Sequence, residues 1–388
     1  MNKLPFALPD ITKAETDAVL AVLQRGWVTS GPEMKLFEEE LSEYLGGRPV
    51  AAVNSATAGL LLVLDYLATS CGWKMGTTKK KVLVPAITFV ASLETVVQAG
   101  GDPVLIDVRE DDRCMSYEDM LKEWSSDVGA VVLVHYAGAV PKDREAIIRH
   151  CNAYRVPVIE DAAHSFGASK DGVRVGAFKG TSDSLATVFS FYATKCITTG
   201  EGGAVASSFP VLMEWVRQGR LHGITRDAFD RYSKPGAAWE YDVGMVGWKA
   251  NLGDPAAAMG RVQLSREGEM RRIRCEIAEK YDALLPPEIG RPFYHEGHAR
   301  HLYPIDLPEK VDRNRFIERM TEQGIGISMH FKPLYRQSAY KHLRRWTPVP
   351  YGFKNAEKHW AHNCSLPLYS KMDTTDVLRV VEAVQCSL

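Results

Sequence analysis

The stretch "SFYATKCITTGEGGAV", residues 190–205, places Lys195 between the end of an aromatic-rich strand and a glycine-rich turn. The glycines let another stretch of backbone approach closely on the far side of the lysine. A lysine in a desolvated pocket loses its proton more readily, and its amine can attack a carbonyl carbon to form an imine. We therefore interpret Lys195 as a candidate nucleophile. A surface lysine beside a loop is the ordinary alternative for this residue taken alone.

The pattern around this stretch predicts an α/β fold. From about residue 14 to 205, amphipathic helical segments alternate with short apolar runs such as "KVLVPA" and "AVVLVHYAG". That alternation is typical of crossover connections and a mostly parallel sheet covered on both faces. After a long irregular stretch, helical and strand-like patterns resume. We predict a large domain over residues 1–250 and a small C-terminal α+β domain over residues 251–388.

Composition excludes several classes of protein. The formal net charge of -1 over 388 residues gives no electrostatic reason to bind nucleic acid or an anionic membrane. Seven cysteines occur without a C-x-x-C pair, and an odd total argues against a disulfide framework. No segment reaches the roughly 18 apolar residues that a membrane span needs. We expect a cytoplasmic protein.

Three further strand ends carry polar or aromatic residues, and ligands of open α/β sheets bind at the carboxyl ends of strands. Thr57 opens a helix whose free N–H groups would hold a phosphate, although a simple Ser/Thr cap is the alternative. Phe89 offers a flat face to a planar ring, or it packs in the core. Asp161, beside Glu160, needs a cation or a protonated ring nitrogen, unless an internal salt bridge satisfies it.

Together these four strand ends indicate pyridoxal 5′-phosphate (PLP), because a phosphate cradle, a ring stacker, a carboxylate and an imine-forming lysine are the parts that hold it. Competing motifs are absent from the sequence. "GEGGAV" lacks the third glycine of a dinucleotide fingerprint, and neither G-x-x-x-x-G-K-[ST] nor H-E-x-x-H occurs. No metal site is indicated. His301 and His330 are candidates to line the cleft between the two domains.

The stretches "NSATAGL", "VPAITFVAS", "IEDAAHSFGA", "SFYATK" and "WKANLGDPAAAMGRVQL" resemble the DegT/DnrJ/StrS-type sugar aminotransferases, and the similarity runs nearly end to end. It is strongest to the branch that aminates C4 of nucleotide-linked 4-keto sugars. The resemblance implies an aspartate-aminotransferase-like fold of type I with a mostly parallel seven-stranded sheet. It also implies a PLP-binding large domain, a homodimer with active sites at the subunit boundary, and glutamate, released as 2-oxoglutarate, as amino donor.

The resemblance also implies roles for individual residues. Lys195 is similar to the Schiff-base lysine, Asp161 to the partner of the pyridine nitrogen and Phe89 to the ring-stacking aromatic. His164 matches the residue near the cofactor hydroxyl. The implied phosphate contacts are Thr57, Ala58, Ser190 and, from the neighbouring subunit, Asn251. The regions implied to approach the nucleotide sugar are His330 and the long loop around Arg231.

The chain departs from the family pattern at three places. Cys196 follows the lysine where an asparagine is common, and "VPKDREAI" carries an extra residue before Asp143. Gly253 and Pro255 replace larger residues, which leaves the position of the turn presenting Asn251 open. Between them, Asp254 is expected to cap the following helix.

Three alternative functions follow from the same residues. A PLP-binding regulatory protein of the same fold would not need Lys195, Asp161 and Ser190 intact. A sugar 3-dehydratase, which resembles this family, has histidine where Lys195 stands. An amino-acid aminotransferase would need an arginine for the second substrate carboxylate, and Arg226 or Arg231 leaves that alternative open.

Overall fold

The computed structural model describes residues 3–73, 80–177, 183–225, 240–340 and 352–388, so Arg226 and Arg231 lie outside the described residues. Within them the α-helices are α1 (Lys13–Arg25), α2 (Pro32–Tyr44), α3 (Ala56–Ser70), α4 (Ala91–Gln98), α5 (Tyr117–Lys122), α6 (Arg144–Ala153), α7 (Pro210–Gly219), α8 (Asp254–Ser265), α9 (Glu267–Leu284), α10 (Arg313–Glu322), α11 (Lys354–His362) and α12 (Thr374–Ser387). The strands are β1 (Val50–Val53), β2 (Lys81–Pro85), β3 (Asp102–Ile106), β4 (Val128–Val134), β5 (Val158–Asp161), β6 (Ser169–Lys170), β7 (Val173–Arg174), β8 (Ala186–Ser190), β9 (Gly203–Ala206), β10 (Tyr303–Asp306) and β11 (Asn363–Leu366).

A seven-stranded sheet forms the centre of the fold, with strand order β1-β9-β8-β5-β4-β2-β3. Strand β9 runs antiparallel to both of its neighbours, and the pairs from β8 to β3 are all parallel. Residues of β1, β5, β8 and β9 are buried throughout, as expected for strands covered on both faces. The predicted α/β fold with a mostly parallel seven-stranded sheet is confirmed.

Two layers of helices cover the sheet because successive side chains of a strand point to opposite faces. In β2, Val82 and Val84 join the apolar cluster that contains residues of α3, α4 and α7. Leu83, between them, joins the cluster that contains residues of α5 and α6. The continuous apolar runs seen in the sequence therefore serve two separate cores.

The C-terminal part has an apolar cluster of its own, built on the antiparallel pair β10–β11 and packed by α9, α10 and α12. Leu4 joins this cluster and bridges to Ile325, which brings the N-terminal segment to the same side of the molecule. Helix α8 packs instead against α1 and α2. The domain boundary at residue 250 stays a prediction.

Asp254 differs from its expected role. The residue that caps α8 is Gly253, and Asp254 is the first residue of the helix. Its carboxylate accepts hydrogen bonds from the backbone N–H groups of Gly31 at 2.7 Å and Met34 at 3.2 Å. Asp254 thus satisfies the free N–H groups at the start of α2, a long-range cap that local sequence does not reveal.

All seven cysteines are free thiols. In the part of the chain that the structure describes, each helix is either too short or too polar to span a bilayer.

Candidate active site

A cavity of about 330 Å³ opens at the carboxyl ends of the parallel strands. Its wall includes residues that follow or end β1, β2, β5 and β8, which is where the sequence placed the candidate ligand groups. The predicted site residues that line it are Thr57, Phe89, Asp161, His164, Ser190, Lys195 and His330. His301 lines it as well.

Lys195 lies in the turn after β8, where its backbone N–H donates to the carbonyl of Tyr192 at 2.9 Å. Its side chain is partly buried. It lines the cavity, and the surrounding protein shields the amine from bulk water. Burial disfavours the charged ammonium and lowers the pKa of Lys195 to about 8, although the nearby Asp161 carboxylate opposes the shift. A sizeable fraction of the amine is therefore neutral at mildly alkaline pH.

Asp161 ends β5 and is 6% exposed. The hydroxyl of Ser92 donates to its Oδ2 at 2.7 Å, and the backbone N–H of Ala163 donates to Oδ1 at 3.2 Å. The hydroxyl of Thr88 lies 2.8 Å from that of Ser92. Both of these donors are neutral, so the carboxylate can still pair with a cation or a protonated ring nitrogen in the cavity.

Glu160 precedes Asp161 and points to the opposite face of the sheet. Its carboxylate accepts from Nε and Nη2 of Arg144 at 2.6 and 2.7 Å, from the Ser184 hydroxyl at 2.6 Å, and pairs with His135 at 2.8 Å. The Arg144 guanidinium and the His135 imidazole hold the pKa of Glu160 well below its usual range despite full burial. Glu160 therefore belongs to a buried structural network, while Asp161 faces the cavity.

The start of α3 forms the proposed phosphate end of the cavity. Ser55 caps the helix, and its hydroxyl accepts from the backbone N–H of Ala58 at 3.1 Å. Ala56 and Thr57 line the cavity, whereas Ala58 lies behind them with its N–H directed to the cap. Gly203 allows β9 to lie against this turn, because a Cβ at residue 203 would stand 2.6 Å from the backbone N of Ala56.

Three histidines form the wall nearest Lys195. The rings of His164 and His301 lie 4.5 Å apart between centroids, and that of His164 stacks on Phe331 at 5.7 Å. Burial, with the charge of Lys195 second, lowers the pKa of His164 and His301 well below the usual value and that of His330 to about 3. All three rings are neutral above mildly acidic pH and act as hydrogen-bonding groups rather than charges.

Phe89 is 56% exposed and contacts Phe331 with centroids 6.1 Å apart. Its ring lines the cavity instead of packing in the core. The ring face is thus available to a planar ligand.

A family model, the DegT/DnrJ/EryC1/StrS aminotransferase family, matches residues 9–385. The chain belongs to this family. This aminotransferase is 34% identical over 390 residues to the spore coat polysaccharide biosynthesis protein SpsC of Bacillus subtilis, covering 98% of this chain and 96% of that one.

Solved structures agree with the family. The aminotransferase PseC of Helicobacter pylori, involved in the biosynthesis of pseudoaminic acid, matches with a TM-score of 0.89 and 27% identity over 100% of this chain and 99% of that one. The PMP-form of Spr1654 from Streptococcus pneumoniae matches with a TM-score of 0.85 and 28% identity over 99% and 97%. The family is PLP-dependent. The resemblance seen in the sequence is confirmed at the level of the family.

Asn251 lies apart from the Lys195 cavity of this aminotransferase. It lines a second cavity of about 570 Å³, where its Nδ2 donates to the Ser30 hydroxyl at 2.6 Å and Lys249 donates to its Oδ1. Its implied contact with the phosphate of a neighbouring subunit stays a prediction. Cys196 is 5% exposed and packs in an apolar cluster, with Sγ 4.0 Å from the His164 carbonyl.

Sequence reasoning missed several residues of the cavity. Phe6 reaches it because the bridge at Leu4 carries the N-terminal segment there, and its ring stacks on His330 at 5.4 Å. Ser92 and Thr88 stand as polar residues within the apolar "VPAITFVASLETVV", a signal that could have identified them. Among the described residues, no group of three or more His, Cys, Asp or Glu side chains is placed to hold a metal ion.

Proposed function

We propose that this aminotransferase moves the amino group of glutamate to the keto carbon, at C4, of a nucleotide-linked keto sugar, with PLP as cofactor. The observation that carries the proposal is the meeting of Lys195, whose pKa falls to about 8, and the buried Asp161 in one cavity. A partly neutral amine and a carboxylate without a cationic hydrogen-bond donor suit a cofactor with an aldehyde and a basic ring nitrogen.

The residues of the cavity fit PLP by their chemistry. The start of α3 and the hydroxyls of Thr57 and Ser190 would hold the phosphate, since helix N-termini favour anions. Asp161 would hold the ring nitrogen protonated, and Phe89 would lie against the ring. When bound, PLP acts as an electron sink that lets an amino group pass from one substrate to another in two half-reactions.

Lys195 is the group that holds and moves protons in this proposal. Desolvation keeps its amine partly neutral, so it can accept a proton from a substrate carbon and return it to another atom. The neighbouring His164, His301 and His330 stay neutral and do not compete for that proton near pH 7. Nδ1 of His164 accepts from the backbone N–H of Ala137, and Nδ1 of His330 is hydrogen-bonded to the Ser365 hydroxyl. The Nε2 atoms of these two rings would orient hydroxyl groups of a sugar.

The sugar assignment rests on the relatives. SpsC bears the name of a spore coat polysaccharide biosynthesis protein, and PseC is involved in the biosynthesis of pseudoaminic acid. Both names concern sugars. We extend that chemistry to this chain, with His330 at the cavity and the loop around Arg231 contacting the nucleotide sugar. We also propose a homodimer in which Asn251 completes the phosphate site of the neighbouring subunit.

The decisive experiment follows the absorbance of the purified holoprotein during incubation with glutamate. Conversion of the cofactor spectrum to that of its amino form, and its reversal by a panel of nucleotide keto sugars, supports the proposal. Lys195→Ala should remove turnover while leaving part of the cofactor binding intact. A holoprotein whose spectrum does not respond to glutamate would favour the regulatory alternative and overturn the proposed reaction.

The amino-acid aminotransferase alternative differs in its acceptor. If 2-oxo acids reverse the spectrum and every keto sugar in the panel fails to do so, the sugar assignment is wrong. The 3-dehydratase alternative is disfavoured because this chain has Lys195 where a 3-dehydratase has histidine.

A further inference from the structure

A third and much smaller cavity, of about 30 Å³, lies directly behind the Lys195 turn. Lys195, Thr194 and His301 line both this cavity and the large one, so the three side chains form a shared wall. The small cavity also receives Arg274 from α9 and Asp10 from the N-terminal segment. Its volume is about that of one water in the liquid, which suits one end of a ligand rather than a whole one.

Arg274 is a buried cation that forms no ion pair with any carboxylate of the described residues. It is 4% exposed, and its Nη1 donates to the carbonyl of Cys196 at 3.2 Å. Its Nε and Nη2 have no hydrogen-bond partner among the described residues. A buried guanidinium with free donors is unfavourable unless an anion or a polar group completes it.

Asp10, the one acidic residue among the described residues that line this cavity, and Glu267, on the same helix as Arg274, both have other partners. Asp10 pairs with Arg266 at 3.1 Å through Oδ1 and accepts from the Ser370 hydroxyl at 2.8 Å through Oδ2. Glu267, about two helical turns before Arg274 on α9, pairs with Arg271 at 3.3 Å and accepts from the Tyr44 hydroxyl at 2.8 Å. The ion pairs of these two carboxylates are with Arg266 and Arg271 and not with Arg274.

The large cavity, in contrast, is poor in cations. Among the described residues that line it, Lys195 is the one Lys or Arg side chain, and the three histidines are neutral. An amino donor such as glutamate carries two carboxylates. At least one of them needs a cation besides Lys195, which must stay free to move protons.

We propose that Arg274 binds a carboxylate of the amino donor, which reaches it past the wall shared with the large cavity. This inference rests on the proposed function. The planar guanidinium offers two parallel N–H donors, Nε and Nη2, which is the geometry that a carboxylate accepts. Arg274 is then the residue that selects an acidic donor over a neutral amine.

Direct binding tests this site without turnover. Succinate, a dicarboxylate without an amino group, should raise the thermal midpoint of the wild-type holoprotein and of Arg272→Gln, and should have little effect on Arg274→Gln. Arg272 is the matched control, since it lies on the same helix with its side chain 61% exposed and pairs with Glu276. Equal stabilisation of all three proteins by succinate overturns the inference.

The half-reactions give an independent readout. With glutamate, the half-saturation concentration of Arg274→Gln should rise at least about tenfold, the scale of one lost charged hydrogen bond. The second half-reaction, from the amino form of the cofactor to a keto sugar, should change less than about twofold, because the proposal places the carboxylate of the amino donor, and not the sugar, at Arg274. Equal losses in both half-reactions indicate a structural role and overturn the inference.

Failure of the proposed function has a different signature. If the wild-type protein binds succinate through Arg274 but does not react with glutamate, the carboxylate site is supported and the proposed reaction is wrong. If Arg274→Gln does not fold, Arg274→Lys decides the question. A lysine keeps the charge but loses the planar pair of donors, so stabilisation by succinate should fall, and an unchanged value overturns the inference.

Discussion

Ser92 donates a 2.7 Å hydrogen bond to Oδ2 of Asp161, and so joins the first turn of α4 to the end of β5. Ser92 is fully buried, and the Thr88 hydroxyl lies 2.8 Å from its Oγ. The relay fixes the carboxylate from two neighbouring elements at once. A carboxylate held in this way needs little reorganisation when it meets a charged partner.

Ser92→Ala should therefore weaken the proposed half-reaction without removing Asp161. We expect the rate with glutamate to fall at least about tenfold, since a hydrogen bond to a charged group contributes roughly 1.5–3 kcal/mol. Stopped-flow absorbance of the holoprotein measures this rate. The control is Thr95→Val on the same helix, because the buried Thr95 hydroxyl donates to the Ala91 carbonyl at 2.7 Å and not to Asp161. Equal rates for the two variants would contradict the positioning role.

The lowered pKa of Lys195 predicts how the apoprotein takes up cofactor. Burial lowers the pKa from 10.5 to about 8, so the reactive neutral amine grows as pH rises through that value. The rate of PLP uptake should rise about tenfold per pH unit below 8 and level off above it. Rapid-mixing absorbance over a pH series gives the midpoint. A midpoint near that of a free lysine would show that the turn does not desolvate the amine.

Two variants separate this amine from the rest of the protein. Lys195→Ala should lose the pH-dependent phase altogether. Lys13→Ala removes a lysine whose side chain is 85% exposed, and its midpoint should match that of the wild type.

Much of the fold and many of the residues that line the cavity could be predicted, because buried parallel strands have a recognisable sequence pattern. Their apolar runs are visible in sequence, and their carboxyl ends must meet at one edge of the sheet. Thr57 lies more than a hundred residues before Asp161 and Lys195 in the sequence, yet this rule alone predicts that the three residues meet, and all three line one cavity. The resemblance to a family added the roles, which the residue pattern left open.

Long-range packing decided what the sequence did not reveal. Phe6 reaches the cavity through the bridge of Leu4 to Ile325, a pairing that no local pattern encodes. The local sequence predicts that Asp254 caps α8, but its carboxylate instead accepts hydrogen bonds from the free backbone N–H groups at the start of α2. The sequence does not distinguish Arg274 from the other arginines of α9, since tertiary packing is what buries its Nε and Nη2 without a hydrogen-bond partner among the described residues.

Gly203 tests the proposed phosphate end of the cavity. A Cβ at this position would lie 2.6 Å from the backbone N of Ala56 and 2.7 Å from the backbone C of Ser55, and neither backbone atom can rotate away. Gly203→Ala should therefore displace the start of α3, lower the thermal midpoint and weaken PLP binding, as measured by equilibrium dialysis. Gly268→Ala is the control, since a Cβ there meets nothing within 4 Å and a helical alanine is favoured by about 1 kcal/mol. Unchanged PLP affinity in Gly203→Ala would contradict the proposal that the start of α3 binds the phosphate.

Glu160 and Arg144 give a stability prediction that is independent of the reaction. Replacing the buried Glu160 by Gln keeps its shape but leaves the Arg144 guanidinium without its bidentate partner. Breaking one member of a buried ion pair costs about 3–5 kcal/mol, so the urea midpoint of Glu160→Gln at pH 7 should fall well below that of the wild type. The matched control is Glu276→Gln, whose side chain is 50% exposed in its pair with Arg272 and whose loss should change stability by less than about 0.5 kcal/mol.

The pH dependence of the same variant follows from the sign of the pKa shift. The pKa of Glu160 is depressed in the folded state, so its contribution to stability is present above the unfolded pKa of about 4.3 and is lost as pH falls toward the folded value. Between pH 5 and pH 3 the free energy of unfolding of the wild type should fall more steeply than that of Glu160→Gln, which has no proton to gain at this position. Parallel slopes for the two proteins would mean that the carboxyl group is already protonated at neutral pH and that the Arg144 pair is not ionic.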